Sequence, residues 1–214
     1  RIQKVEDKLQ DEKSKEVFKR RMDLLHDGDL NHFMKIPVDH EEYFDVKELN
    51  YTQDEVFVDC GAYIGDTIDS YCNHIGKYQK IIAIEPDEYN CKKIKEYIEN
   101  KKLDHVQVIN AAVGNENKVV AFDQQGTAGS SIKSDGNNSV KQVRLDDVIQ
   151  EAVSFLKMDI EGFELEALKG AKNLITTYKP KLAICIYHKC EDPLCITEYI
   201  EKLVPEYKFY MRHY

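Results

Sequence analysis

Apolar residues recur along this chain in two rhythms. In residues 1–26, which are rich in Lys, Glu, Asp and Arg, Val5 and Leu9 and then Phe18, Met22 and Leu25 are spaced by threes and fours. That period predicts an amphipathic helix, packed on the rest of the chain or on a second copy. Beyond a connector that runs from Pro37 to Asn50, short apolar runs at residues 56–59, 80–84, 106–111, 153–158 and 182–187 read as strands. Helical segments lie between them: one near residues 66–74, one capped by Asp87 and running to about Asn100 with Ile94 and Ile98 inward, and one over 163–169 stopped at Gly170. Pro180 ends the segment after Gly170, and a helix near 196–204 and a strand at 207–212 close the chain.

Residues 115–144 break this alternation. Runs at 119–122 and 140–144 flank a loop rich in Gly, Ser and Asn, which reads as a hairpin-like insertion followed by a short helix from Leu145. The loop around residues 126–136 is expected to border the active site and to order when ligand binds. The repeated strand–helix units imply an α/β fold, a mainly parallel sheet with helices on both faces. Ligands bind such sheets beyond the carboxyl ends of the strands. Asp59, Glu85, Asp159 and His188 each stand at such an end.

Composition narrows the field. The 214 residues are 42% hydrophobic, enough for one domain with a buried core, divided as an N-terminal helical extension over 1–50 and a main domain over 51–214. No apolar run reaches the ~18 residues of a membrane helix, so no membrane insertion is expected. Asp and Glu outnumber Lys and Arg by 39 to 30, a poor balance for holding nucleic acid. The six cysteines show no CxxC spacing, which fits a reducing, cytoplasmic setting. Cys185, His188, Cys190 and Cys195 match no standard zinc pattern, and no metal is assigned.

The most informative motif is Val58-Asp59-Cys60-Gly61-Ala62-Tyr63-Ile64-Gly65-Asp66, an apolar strand, an Asp-x-Gly-x-x-x-Gly turn and a helix. Its glycines let the backbone turn sharply and approach a ligand. The G-x-G-x-x-G pattern that sets amides against a dinucleotide pyrophosphate is absent. An acid before the first glycine instead suits a ligand with a cationic amino group, as in S-adenosyl-L-methionine. The competing reading is a tight turn with no ligand. Glu85, 20 residues after Gly65 and followed by Pro86, can accept hydrogen bonds from a ribose diol. Ala111 and Ala112 leave room for a flat adenine, or serve packing alone. Asp159 should lie near the reactive centre, although capping the helix near Phe163 is the commoner use of a loop Asp, and Glu161 could do the same. His188 is a base or a structural histidine.

The segments VDCGAYIGD, AIEPD, NAAVG, KMDIEGFELEALKGA and IYHK, in this order, resemble the FkbM family of S-adenosylmethionine-dependent methyltransferases from about Glu55 to Tyr214. The resemblance implies a class I, Rossmann-like three-layer α/β/α sandwich carrying the N-terminal helical extension. It implies methyl transfer to an acceptor oxygen on a sugar, glycan or natural product. A cofactor site follows from Asp59, Gly61, Ala62, Tyr63, Gly65, Asp66, Glu85, Pro86, Ala111, Ala112 and Asp159, with Asp159 and His188 catalytic. Tyr63 departs from the family, which more often has a smaller polar residue there. The fold would also need one more antiparallel strand after residues 207–212, so an open edge is expected, consistent with truncation or a homo-oligomer. Two other readings remain: a non-catalytic binding module on the same fold, and a dinucleotide-dependent oxidoreductase, which the glycine spacing disfavours.

Overall fold

The computed structural model describes residues 1–44, 46–123, 131–132 and 138–214. Its helices are α1 (Ile2–Glu6), α2 (Glu12–Asp27), α3 (Leu30–Met34), α4 (Asp66–His74), α5 (Glu88–Lys101), α6 (Leu145–Val148), α7 (Glu164–Gly170), α8 (Lys172–Tyr178) and α9 (Asp192–Leu203). Its strands are β1 (Val56–Cys60), β2 (Lys80–Glu85), β3 (Val106–Asn110), β4 (Ala112–Val113), β5 (Lys118–Asp123), β6 (Ser131–Ile132), β7 (Asn138–Val143), β8 (Phe155–Met158) and β9 (Lys181–Ile184). The chain divides into two compact units, residues 51–185 and residues 1–50 with 186–214.

The 51–185 unit holds both sheets. Five strands in the order β3-β2-β1-β8-β9 run parallel, with helices flanking them, so the α/β class holds. Every residue of β1 and β8 is buried, which is why both read as unbroken apolar runs rather than alternations. Phe57 of β1 stacks against Tyr71 of α4 and Phe155 of β8, with ring centroids 5.2 and 4.6 Å away. The chain winds outward from β1 through β2 to β3, then returns to β8 on the other side of β1. The order therefore reverses between β1 and β8, and such a switch point opens a crevice at the carboxyl ends of the two strands.

The smaller sheet, β4-β7-β5-β6, contains the expected hairpin, β5 and β7 pairing antiparallel with Val120 opposite Val140. Most of its 126–136 loop lies outside the described residues. Helix α7 ends at Gly170, as expected, where that residue meets the backbone of Gly114, and α8 fills the segment before Pro180. A Cβ on Gly170 would stand 2.0 Å from the Gly114 carbonyl oxygen. Strand β9 stops at Ile184, short of the expected 187. Cys185 N–H still donates to Met158, but β8 ends there and offers no further ladder.

In the other unit the single N-terminal helix expected over 1–26 is broken into α1 and α2. Leu9 bridges Phe209, Gln10 N–H donates to the Phe209 carbonyl, and Asp11 caps α2 by accepting from Ser14 N–H. Val5, Leu9, Val17, Phe18, Met22, Ile36 and Met211 form this unit's core. The strand expected at 207–212 is reduced to that one bridge. Side chains take backbone groups a ladder would need: Met211 N–H donates to Ser14 Oγ, and the Arg212 guanidinium, paired with Asp11, donates to the Met211 carbonyl at 2.9 Å. No helix among the described residues is long and apolar enough to cross a membrane.

Candidate functional site

The 61–65 turn lies at the carboxyl end of β1, and its backbone conformation explains the glycines. Gly61, Tyr63 and Gly65 have φ of +76°, +46° and +93°. A side chain on Gly61 would also collide, its Cβ 1.9 Å from the carbonyl oxygen of Asp159. The turn is thus pressed onto the end of β8, where Asp159 N–H in turn donates to Cys60. Tyr63 tolerates its left-handed backbone with a fixed partner: its N–H donates to Glu85 Oε2 at 3.0 Å.

Four of the turn's amides are spent inward. Gly61 and Ala62 donate to Ile84, Tyr63 to Glu85, and Gly65 to Ala62. A dinucleotide site needs such amides turned toward a pyrophosphate. This turn instead shapes backbone around an acidic centre.

Glu85 ends β2 and is 5% exposed. Its Oε1 accepts from Asp87 N–H and Asn90 Nδ2, and its Oε2, among the described residues, from Tyr63 N–H. A carboxylate oxygen accepts about two hydrogen bonds, so Oε2 keeps room for one ribose hydroxyl rather than the full diol. Burial pushes the Glu85 carboxyl up to about 7, against the pull of those three donors. Asn110, at the end of β3, donates to the carbonyls of Glu85 and Pro86 and fixes the corner from outside.

Asp59 differs from its expected role. It is wholly buried, as is Ala62, so no ligand touches either while the turn holds this shape. Lys157, its neighbour across the switch point, stands with Nζ 3.1 Å from Asp59 Oδ1. That is ion-pair distance without hydrogen-bond alignment, and neither Asp59 oxygen accepts a hydrogen bond among the described residues. The Lys157 ammonium donates to the Gly61 carbonyl at 2.9 Å. Burial raises the Asp59 carboxyl to about 6, with Lys157 opposing and the charges of Asp66 and Asp159 adding to the rise. Burial works against the Lys157 charge as well, but Asp59 and Asp159 outweigh it and hold the ammonium above its ordinary value.

The remaining residues divide by exposure. Asp66 is exposed at the start of α4, Pro86 and Asp159 are half-buried, and Gly65 is buried. Ala111 and Ala112 are buried, with Ala111 N–H donating to Glu85 and Ala112 opening the smaller sheet. Neither Asp159 nor Glu161 caps α7; Glu164 turns back instead and accepts from Ile160 N–H. The structure thus brings together residues 59–66, Glu85, Pro86, Ala111 and Asp159. His188 belongs to the other unit, past the end of β9, half-buried with its ring 4.1 Å from that of Tyr187. The sequence pattern alone assigns Lys157 no role. A lysine inside the apolar run 153–158 was the available signal, since buried lysines are rare unless paired.

A family model described as the methyltransferase FkbM domain matches residues 59–209 of this sequence. The chain belongs to the FkbM methyltransferase family. The match takes in the turn, Glu85, the smaller sheet, Lys157 and His188. This FkbM domain is also similar to the crystal structure of a methyltransferase FkbM from Methylobacillus flagellatus KT, with a TM-score of 0.86 and 28% identity. The likeness covers 100% of this chain and 54% of that one, so the chain spans about half the length of that protein. No curated protein matches the sequence.

Proposed function

We propose that this FkbM domain binds S-adenosylmethionine at the carboxyl ends of β1, β2 and β3 and methylates a hydroxyl of a carbohydrate or other small molecule. The observation that carries the reading is Glu85: a nearly buried carboxylate at the end of β2, beside the switch point, with acceptor capacity left on Oε2. The inward-spent amides of the 61–65 turn count against a dinucleotide and so against an oxidoreductase. The residues present fit the cofactor in this way: Glu85 receives a ribose hydroxyl, the half-buried Tyr63 and Pro86 border it, and Asp59 supports the turn from beneath. When bound, S-adenosylmethionine supplies an electrophilic methyl group on a sulfonium.

The chain's own task is to align an acceptor hydroxyl with that methyl and to remove one proton. Alignment alone can supply several kcal/mol of a barrier. Asp159 positions the hydroxyl, and His188 takes the proton, since imidazole ordinarily titrates near neutral pH. The reverse assignment, with Asp159 as the base, is nearly as well supported. Calorimetry with S-adenosylmethionine and NADH tests the cofactor, and binding of NADH alone would sink the reading. Turnover by His188→Ala and Asp159→Asn, once an acceptor is identified, tests the chemistry. A loss of about 10² in turnover with cofactor affinity intact supports a chemical role. Wild-type turnover by a folded His188→Ala rejects His188 as the base.

A further inference from the structure

Lys157 has the geometry of a fastening rather than of a packing residue. It sits in the middle layer of an apolar strand, yet its Nζ reaches two groups on the neighbouring strand's end, the Asp59 carboxylate at 3.1 Å and the Gly61 carbonyl at 2.9 Å. Both side chains of the pair are essentially inaccessible, 3% for Lys157 and 0% for Asp59. A buried ion pair on this scale is a costly way to stabilise a fold, and apolar residues of similar volume often do as well or better. It also lies at the one place in the parallel sheet where the strand order reverses.

We infer that Lys157 is a positioning residue for the cofactor: reaching from β8 across to β1, it ties the Gly61 carbonyl to Asp59, and so holds the 61–65 turn in the shape that presents Tyr63 N–H to Glu85. The inference rests on the cofactor reading above and extends it to a residue that touches no ligand. Gly61 is the hinge of the argument. Its positive φ and its contact with Asp159 leave the turn one seat on the end of β8, and the Lys157 hydrogen bond points the Gly61 carbonyl into the sheet. Release of that carbonyl would let the peptide after it rotate, and with it the segment leading to Tyr63.

The charged and titratable groups around the pair are Cys60 on β1, Asp66 on α4, Asp159 after β8 and Cys185 after β9. Asp59, raised to about 6, loses its charge as the pH falls through that value, and the clamp then loses its anchor. Cofactor affinity should therefore show a step on acidification near 6 in the wild-type protein, below and distinct from the one that Glu85, raised to about 7, imposes. Without the lysine, Asp59 keeps only acidic neighbours and burial, so the same step must move to higher pH.

The experiment is calorimetric titration of S-adenosylmethionine from pH 5 to 9 on the full chain, with urea melts beside it. Lys157→Met should bind about tenfold or more weakly at neutral pH, the scale of one lost charged hydrogen bond. Its pH step should lie above the wild-type one. Should Lys157→Met fail to fold, the double variant Asp59→Asn/Lys157→Met, which leaves no buried charge unpaired, decides. It should bind about tenfold or more weakly and show no step from this pair. A variant that binds like wild type with the step unmoved overturns the inference. If the wild-type protein itself binds no S-adenosylmethionine at any pH, the cofactor reading fails instead, and the inference falls with it.

Discussion

The two ends of β1 each bury a carboxylate, and they treat it in opposite ways. Glu55, just before the strand, is 0% exposed and fully supplied: Lys181 Nζ at 2.7 Å, Thr52 N–H at 2.8 Å, Thr52 Oγ1 and Ser154 Oγ. Burial pushes its carboxyl up, but these partners win and hold it below the ordinary glutamate value. Asp59, four residues on, is equally buried, yet has one misaligned cation and, among the described residues, no hydrogen bond, and it lies above its ordinary value. A fold that can satisfy a buried acid this well at one end has left it underserved at the other. In doubly wound sheets the amino end of a strand is scaffold and the carboxyl end faces ligand. Unequal service of two like groups distinguishes the strand's two ends without reference to any motif.

The largest effect is expected where that distinction breaks down, at Gly61, which both seats the turn on β8 and belongs to the proposed cofactor site. Gly61→Ala must place a Cβ 1.9 Å from the Asp159 oxygen at a φ of +76°. Left-handed strain alone costs about 1–2 kcal/mol, and the backbone clash adds to it, so a stability loss of at least about 3 kcal/mol and loss of S-adenosylmethionine binding are expected. Gly65→Ala is the control: its φ is also positive, but its Cβ would meet nothing nearer than 3.6 Å. Its loss should stay within about 1–2 kcal/mol. Equal losses in urea melts would show that backbone strain, not the seat on β8, governs the turn.

Glu55→Gln sharpens the scaffold end. It should cost about 2 kcal/mol at neutral pH, the range of a charged hydrogen bond, moderated because Lys181 is partly exposed. Cofactor affinity of the folded protein should not change. The sign with pH follows from the lowered carboxyl. The stabilisation is present above the unfolded value, about 4.3, and disappears as the pH falls through the lower folded value. Melts of both proteins should therefore converge in acid. A gap that persists there would mean the loss is one of packing, and the contrast between the strand's ends would lose its electrostatic basis.

Much of this was legible in the sequence, and what was not has a physical pattern. Helix α4 runs over the residues expected of it, because a glycine turn fixes its start. The buried strands announced themselves as apolar runs, and β5 with β7 as a hairpin. The failures involve partners remote in sequence: the break in the N-terminal helix depends on Phe209, and the missing last strand on Ser14 and Asp11. Likewise, the motif identified Asp59 and Glu85 by type and place, but not that one is sealed and the other still open. Exposure is decided by packing, which no local spacing encodes.

A third prediction concerns Glu85. Its carboxyl, raised to about 7, is partly protonated near neutrality. Its protonated form favours the folded state below the ordinary glutamate value, and that contribution is lost as the pH rises through about 7. A ribose hydroxyl donated to Oε2 favours the charged form, so S-adenosylmethionine binding near pH 7 should release protons. Calorimetry in buffers of different ionisation heat reads that release directly. Glu85→Gln should cut that release to the smaller share that Asp59, raised only to about 6, supplies at this pH, and weaken binding by about 1–3 kcal/mol. Proton release unchanged in Glu85→Gln would place the titrating group elsewhere.

The smallest effect is expected at Asp66, and it separates two ways of being near a cofactor. Asp66 is exposed at the start of α4, and its charge adds to the rise of the Asp59 carboxyl. Exposed charges interact through water and are screened by salt, so this influence is weak. Asp66→Asn removes a negative neighbour, which makes Asp59 easier to ionise. The midpoint of cofactor binding should therefore move to lower pH, by less than about one unit, the opposite direction from Lys157→Met. Affinity on the alkaline plateau should stay within about twofold of wild type, since Asp59 is charged there in both proteins. Raised salt should shrink the shift. A plateau affinity reduced tenfold with the midpoint unmoved would instead make Asp66 a direct contact, and the acidic centre beneath the turn would then act on the cofactor through side chains rather than through backbone shape.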